Sequence, residues 1–278
     1  MDLKKLSRHF DDIPISDAYT GAALFLGQVS SFIDSQVDGT ISARRVLSLD
    51  SAYTMPTHRC IGYLNEKWLV GDGITDGAQG QSVRTSYAMK KVNERYTLAS
   101  PGQAALGQGG LNVYAQKNYL KSDVNSSTDA EYDPFWHIYI AQTEEVFKGF
   151  YLVSGSGEYY KIRAKHDLLE GFRVLESDQL DDGCAVAVSF QGGTYDPITE
   201  TTLGSIVTTT GILVDAYMSY SYKTQADRKY GSGDSILVVA RLAVTPFVGQ
   251  SLTIEDKSYK IFSVIEDLDS WKCLVRLT

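Results

Sequence analysis

From Ile41 to the C-terminus the chain runs as short stretches of β-branched and aromatic residues alternating with polar ones. Gly, Asn, Asp or Ser break the pattern roughly every 8–12 residues, which is the grammar of strands joined by tight turns. The first forty residues read differently. Leu3, Leu6 and Phe10 recur at three-to-four spacing, and after Ser16-Asp17, a pair suited to capping, Ala22, Phe25, Leu26, Val29 and Ile33 keep helical offsets up to the turn dipeptide Asp38-Gly39. This spacing predicts a short helical N-terminal arm over 1–40. Between Leu98 and Asp133, Pro101-Gly102, Gly107-Gln-Gly-Gly110 and the polar run Lys121–Asp129 predict a long loop excursion.

Three segments share one hairpin grammar: an apolar strand, a short polar turn, then an aromatic residue leading a second apolar strand. They are Ile61–Val70, Phe150–Ile162 and Leu252–Ile261. The last two also continue alike, Lys165-His-Asp-Leu-Leu-Glu-Gly-Phe-Arg-Val174 beside Val264-Ile-Glu-Asp-Leu-Asp-Ser-Trp-Lys-Cys-Leu-Val275. Such repetition fits a duplicated small barrel. It equally fits convergence, because polar turns between alternating strands look alike anywhere. The expected fold class is mainly β: two small β-barrel or sandwich-like domains, 41–190 and 191–278, behind the helical arm.

Composition narrows the classes of function. The 278 residues are 43% hydrophobic and 22% charged, which excludes disordered and collagenous chains. The longest early uncharged stretch, Ala18–Ile33, is too short and too polar for a bilayer span, so no membrane partner is expected. Charges within Met1–Phe10 interrupt the apolar run that a signal peptide needs, so no secretory signal is expected. Against 26 Lys and Arg stand 34 Asp and Glu, a net charge of -8 that disfavours nucleic-acid affinity through bulk charge. Cys60, Cys184 and Cys273 are odd in number and far apart, and read as small buried hydrophobes.

The chain carries no phosphate-binding loop, no HExxH, no GxSxG and no dinucleotide fingerprint. His9, His58, His137 and His166 are scattered without ligand spacing. The carboxylate pairs Asp11-Asp12, Glu144-Glu145, Asp181-Asp182 and Glu266-Asp267 are neighbours, which point to opposite faces of a strand and read as turn residues. No catalytic, cofactor or metal site is expected. Gly155-Ser-Gly157 and Gly231-Ser-Gly233 read as hairpin loops. Two basic clusters remain as candidates for touching phosphate or another subunit: Arg44 and Arg45 before an alternating strand, and Lys223 with Arg228 and Lys229 in the loop Tyr220–Gly233.

The C-terminal third holds Gly193-Thr-Tyr-Asp-Pro-Ile-Thr-Glu200, the Thr-rich strand Val207–Asp215, Gly233–Ala240, Val244-Thr-Pro-Phe-Val-Gly-Gln-Ser-Leu-Thr-Ile254 with Tyr259-Lys-Ile261, and the finish Lys272-Cys-Leu-Val-Arg-Leu277. This string resembles the small β-barrel proteins of tailed-bacteriophage necks, the head-tail joining, stopper and head-completion proteins. It departs from their pattern at Gln250, where Asp is usual, and at Glu255-Asp256-Lys257, where Asp-Gly-Lys is commoner. The stretch Ile41–Ser48, with Met55–Arg59, Trp68–Gly71 and Ser82–Tyr87, is similar to the N-terminal part of longer neck or collar proteins of contractile-tailed phages.

The resemblance implies a non-enzymatic structural protein of the virion, made in the bacterial cytoplasm. It implies a ring of six or twelve copies that joins the portal or adaptor protein to the tail terminator or tail tube and lets double-stranded DNA pass without specific binding. The 18 Tyr suit subunit interfaces, and the acidic balance suits a conduit. Another β-rich, aromatic-rich class is a tail-associated module that binds carbohydrate or a host receptor. It requires exposed indoles, whereas Trp68, Trp136 and Trp271 are expected to be mostly buried.

Overall fold

The computed structural model describes residues 13–33, 43–50, 53–76, 84–119, 135–143, 145–192, 194–196, 201–215 and 234–278. The strands close into three six-stranded antiparallel barrels. The first contains β1 (Ile13–Asp17), β2 (Ala23–Ile33), β3 (Ala43–Asp50), β4 (Cys60–Tyr63), β5 (Glu66–Asp76) and β6 (Arg84–Lys91). The middle one contains β7 (Glu94–Ala99), β8 (Leu111–Tyr119), β9 (Phe135–Ala141), β10 (Tyr151–Ser154), β11 (Tyr159–Asp167) and β12 (Phe172–Gln179). The third contains β13 (Ala185–Phe190), β16 (Val207–Asp215), β17 (Asp234–Ala240), β18 (Ser251–Ile254), β19 (Lys257–Glu266) and β20 (Ser270–Leu277). Between β13 and β16 lies a small hairpin, β14 (Thr194–Asp196) with β15 (Thr201–Leu203). The one helix among the described residues, α1 (Pro101–Leu106), lies between β7 and β8.

All three barrels have one strand order: first, second, third, sixth, fifth, fourth. The registers of the first and third coincide residue by residue. Ile13 faces Gly27 as Val186 faces Gly211, Gln28 faces Ser48 as Ile212 faces Val238, and Val46 faces Ala88 as Ile236 faces Leu274. Gly27 and Gly211 both point inward, where an added Cβ would come within 2.9 Å of core leucines. The three hairpins read from the sequence are the β4–β5, β10–β11 and β18–β19 hairpins. Their pairs Cys60–Leu69, Tyr151–Lys161 and Ser251–Lys260 occupy one register position. Two of them turn on two residues with positive φ, Leu64-Asn65 and Glu255-Asp256, the geometry that matches the twist of the flanking strands. The fold is a triplicated barrel, where the sequence predicts two domains.

The predicted helix over 1–40 is replaced by β1 and β2 wherever the chain is described; residues 1–12 and 34–40 lie outside. Phe25 and Val29 fit a helical offset, yet they are four residues apart and so also fall on one face of a strand. In β2, Phe25 and Val29 pack into the core while Leu26 is 53% exposed, and pairing with β1 and β3 satisfies the backbone. The predicted excursion over 98–133 is also largely regular structure. Ser100 accepts from the Gln103 N–H and the Gln103 side chain accepts from the Ser100 N–H, a capping box that starts α1; Gly107 ends it at φ 63°, and β8 follows. Residues 120–134 of that stretch lie outside the described set.

By Cα proximity the chain divides into two compact units, Met1–Tyr96 with Val113–Lys148 and Arg163–Asp178, and Thr97–Asn112 with Gly149–Ile162 and Gln179–Thr278. In the first unit the interior of the first barrel is filled by Ile15, Leu47, Leu49, Ile61, Trp68 and their neighbours. On the outer wall of the same barrel, Cys60 and Leu69 are buried against Tyr114 of β8 and Phe172 of β12. The turn 168–171 closes on this wall. The Asp72 N–H donates to the Glu170 carbonyl at 2.7 Å, and a Cβ at position 71 would lie 2.0 Å from that oxygen, so only glycine fits there.

In the second unit, Val188, Phe190, Leu237, Val239, Leu252 and Cys273 belong to the interior of the third barrel. Ile212, Ile236 and Val238 point the other way and are buried against Tyr151, Tyr159, Ala99 and the α1 residues Ala104 and Ala105. Strand β17 is therefore covered on both faces, which explains its near-continuous apolar run Ile-Leu-Val-Val-Ala. Each unit thus joins the outer wall of one barrel to strands of the middle one.

Candidate functional site

Among the basic residues singled out in the sequence, Arg45 is the one whose side chain is described. Its guanidinium lies 4.7 Å from the Trp68 ring centroid and 5.9 Å from that of Tyr63, half-buried on aromatics of its own barrel. The side chain of Arg44 and all of Lys223, Arg228 and Lys229 lie outside the described residues.

A polar cluster in the first unit is one the sequence reading missed. Asp17, at the end of β1, accepts hydrogen bonds at 2.8 Å from the Tyr19 and Thr20 N–H groups and lies 2.7 Å from His58 Nε2. The Cys60 N–H donates to His58 Nδ1 at 3.2 Å, which leaves Nε2 as the nitrogen that donates to Asp17. Burial opposes charge at Asp17, but the bonds from Thr20, His58 and Tyr19 outweigh it and hold the carboxyl down at about 2. Both imidazole nitrogens are engaged, so His58 ties two connections together and offers no free base. Tyr19 lies with its ring centroid 4.6 Å from those of His58 and Tyr114, and Lys67 donates to the Tyr114 hydroxyl. No local signal in sequence joins positions 17, 58 and 114.

A groove of about 560 Å³ runs beside this cluster, lined by Ile13, Ser16, Gly62, Tyr63 and Lys67 among others. Its polar groups are committed elsewhere. Asp17 is held as described, and Ser16 Oγ donates to the Gly62 carbonyl at 3.5 Å. Several other titratable residues stand in structural pairs: Arg173 with Asp167, Arg163 with Asp178, Arg241 with Glu266, and Lys272 with Asp267. The hydrogen bond from Arg173 pulls the Asp167 carboxyl down, and burial keeps His137 below the ordinary imidazole range. Among the described residues no group of three or more His, Cys, Asp or Glu could hold a metal ion. The three cysteines are free and buried, as the sequence predicts, and burial pushes Cys60 and Cys273 up to about 12 and Cys184 to about 11. Trp68 is buried, and Trp136 and Trp271 are half-buried.

Large apolar side chains stand out at connections between strands: Leu242 at 97% exposure, Leu169 fully exposed, with Leu268 and Phe147. Compared with protein-family models, with curated proteins and with solved structures, the chain finds no match in any of the three.

Proposed function

We propose that this chain is a structural protein of the tailed-bacteriophage neck, one of several copies in a ring that joins the head portal to the tail and lines the DNA passage. The observation that carries the reading is the threefold use of one small closed barrel, the unit that the resemblance of the C-terminal third implies. A closed barrel has no open sheet edge, so repeated copies add rigid mass without inviting strand-to-strand aggregation. The interiors of the first and third barrels are packed with side chains, as six-stranded barrels must be, which favours scaffolding over ligand binding. The net charge of -8 suits a wall past which DNA moves. A carbohydrate-binding role would draw on exposed indoles, and all three tryptophans are at least half-buried.

The test is a reconstruction of assembled particles of the phage that encodes the chain. The expected result is density for three small barrels per copy at the head–tail junction, in six or twelve copies. Density at the distal tail instead, or particles lacking the chain, overturns the proposal.

A further inference from the structure

The triplication makes it possible to ask, position by position, what each barrel wall does when it has a neighbour and when it has none. Two kinds of wall are covered. The fourth and fifth strands present Cys60 and Leu69 in the first barrel, and Tyr151, Val153 and Tyr159 in the middle one. The second and third strands of the third barrel present Ile212, Val214, Ile236 and Val238. These residues are apolar or aromatic, although the covered walls also carry Lys67 at the position of Tyr159 and Lys161 at the position of Leu69. Among the described residues, two equivalent walls take part in neither contact: the second and third strands of the first barrel, and the fourth and fifth strands of the third.

Register assigns the described residues on those two walls, and the position of Gly71 falls in a register shift shared by the first and third barrels. Where the middle barrel has Tyr151, Val153 and Tyr159, the third has Ser251, Thr253 and Ser258. Where the first barrel has Leu69, the third has the exposed Lys260, and Phe262 stands at the position of Gly71, the glycine that lets the Glu170 carbonyl approach. On the other wall, Gln28 and Ser48 stand where the third barrel has Ile212 and Val238, and among the described side chains Val46, at the position of Ile236, remains apolar. Six of the seven hydrophobic contact positions named here become polar, and the close-approach site gains a bulky ring.

We infer that these two walls are caps: they refuse a second copy of this chain, so that the wall-to-wall contact made within each unit is not repeated between copies. Repeat proteins need such polar outer faces to stay soluble, because an unfilled apolar wall would recruit another repeat without limit. The inference goes beyond the neck reading and does not rest on it. It requires only that any contact between copies use other surfaces, such as the connections at the barrel ends.

Two experiments test it on the full chain. Ser48→Cys and Ser251→Cys place single accessible thiols on the two walls, the native cysteines being buried. Under mild oxidation of a concentrated mixture, cross-links between the two variants are expected to form no faster than cross-links of either with itself; a tenfold or greater preference for the mixed pair overturns the inference. Conversely, a chain carrying Gln28→Ile, Ser48→Val, Ser251→Tyr, Ser258→Tyr and Phe262→Gly is expected to sediment as concentration-dependent chains, while variants converted on one wall alone match the parent. A fully converted protein that keeps the parent's circular dichroism and its sedimentation overturns it as well.

Discussion

The carboxylate of Asp269, in the turn between β19 and β20, accepts a hydrogen bond from the Ser100 hydroxyl and another from the Gly102 N–H at 2.9 Å. Ser100 is the N-cap of α1, so a residue 169 positions away helps to fix the start of the helix whose alanines cover Ile236 and Val238. Asp269→Ala removes this support and leaves an N-terminal N–H of α1 without its acceptor. It is expected to lower the stability of the second unit by about 1–2 kcal/mol. Asp269→Asn, which keeps an acceptor, is expected to lose less. Urea unfolding of the two variants checks the order, and an alanine variant equal to wild type removes the proposed role.

Asp234 is 1% exposed and takes a two-pronged contact from Arg276, Nε to Oδ1 at 2.6 Å and Nη2 to Oδ2 at 3.0 Å. Arg276→Ala removes this two-pronged contact from the buried carboxylate and is expected to lower the stability of the third barrel. Adding Asp234→Asn to that variant is expected to recover part of the loss, since a buried amide costs less than a carboxylate that has lost its guanidinium. A double variant less stable than Arg276→Ala alone contradicts this account.

Acid should loosen the first barrel through Asp17. Its folded carboxyl titrates at about 2, below the ordinary 3.8, so its contribution to stability is fully present above the unfolded value and is lost as pH falls towards 2. The stability gap between wild type and Asp17→Asn is therefore expected to be constant from pH 7 to 5 and to shrink between pH 4 and 2. A gap that stays level down to pH 2 rules out the network around Asp17 as its cause.

Gly71→Ala tests the close approach of turn 168–171. Its Cβ would stand 2.0 Å from the Glu170 oxygen, and overpacking of this kind costs about 1–3 kcal/mol. Hydrogen exchange at the Asp72 amide, bonded to that oxygen, is expected to speed up in the variant. Unchanged exchange with unchanged stability would mean that the turn moves aside freely.

The thiols offer a simple check on the three packed surfaces. With Cys60 and Cys273 pushed to about 12 and Cys184 to about 11, all three stay neutral and covered at pH 8. No reaction with a thiol reagent is expected within minutes in native buffer, and three equivalents are expected in strong denaturant. A fast native equivalent would place one of them at the surface.

The β grammar after Ile41, the hairpins at Ile61–Val70, Phe150–Ile162 and Leu252–Ile261, and the burial of the cysteines are legible in the sequence, because turn chemistry and period-two alternation act over a few residues. The same local rules misread β2, where Phe25 and Val29 satisfy both periods and only pairing with β1 and β3 chooses between them. They also could not count the barrels. The sixth strand of each barrel closes against the third, and the outer walls are covered by residues far away in sequence, such as Tyr114 over Cys60 and Ala104 over Ile236. Outside the first forty residues and the stretch 98–133, the sequence alone determined the strand-and-turn pattern, and it determined the burial of the cysteines. Closure into three barrels, the engagement of His58 between Asp17 and Cys60, and the division of the walls into covered and capped were decided in three dimensions, because each depends on a contact whose two sides share no local signal.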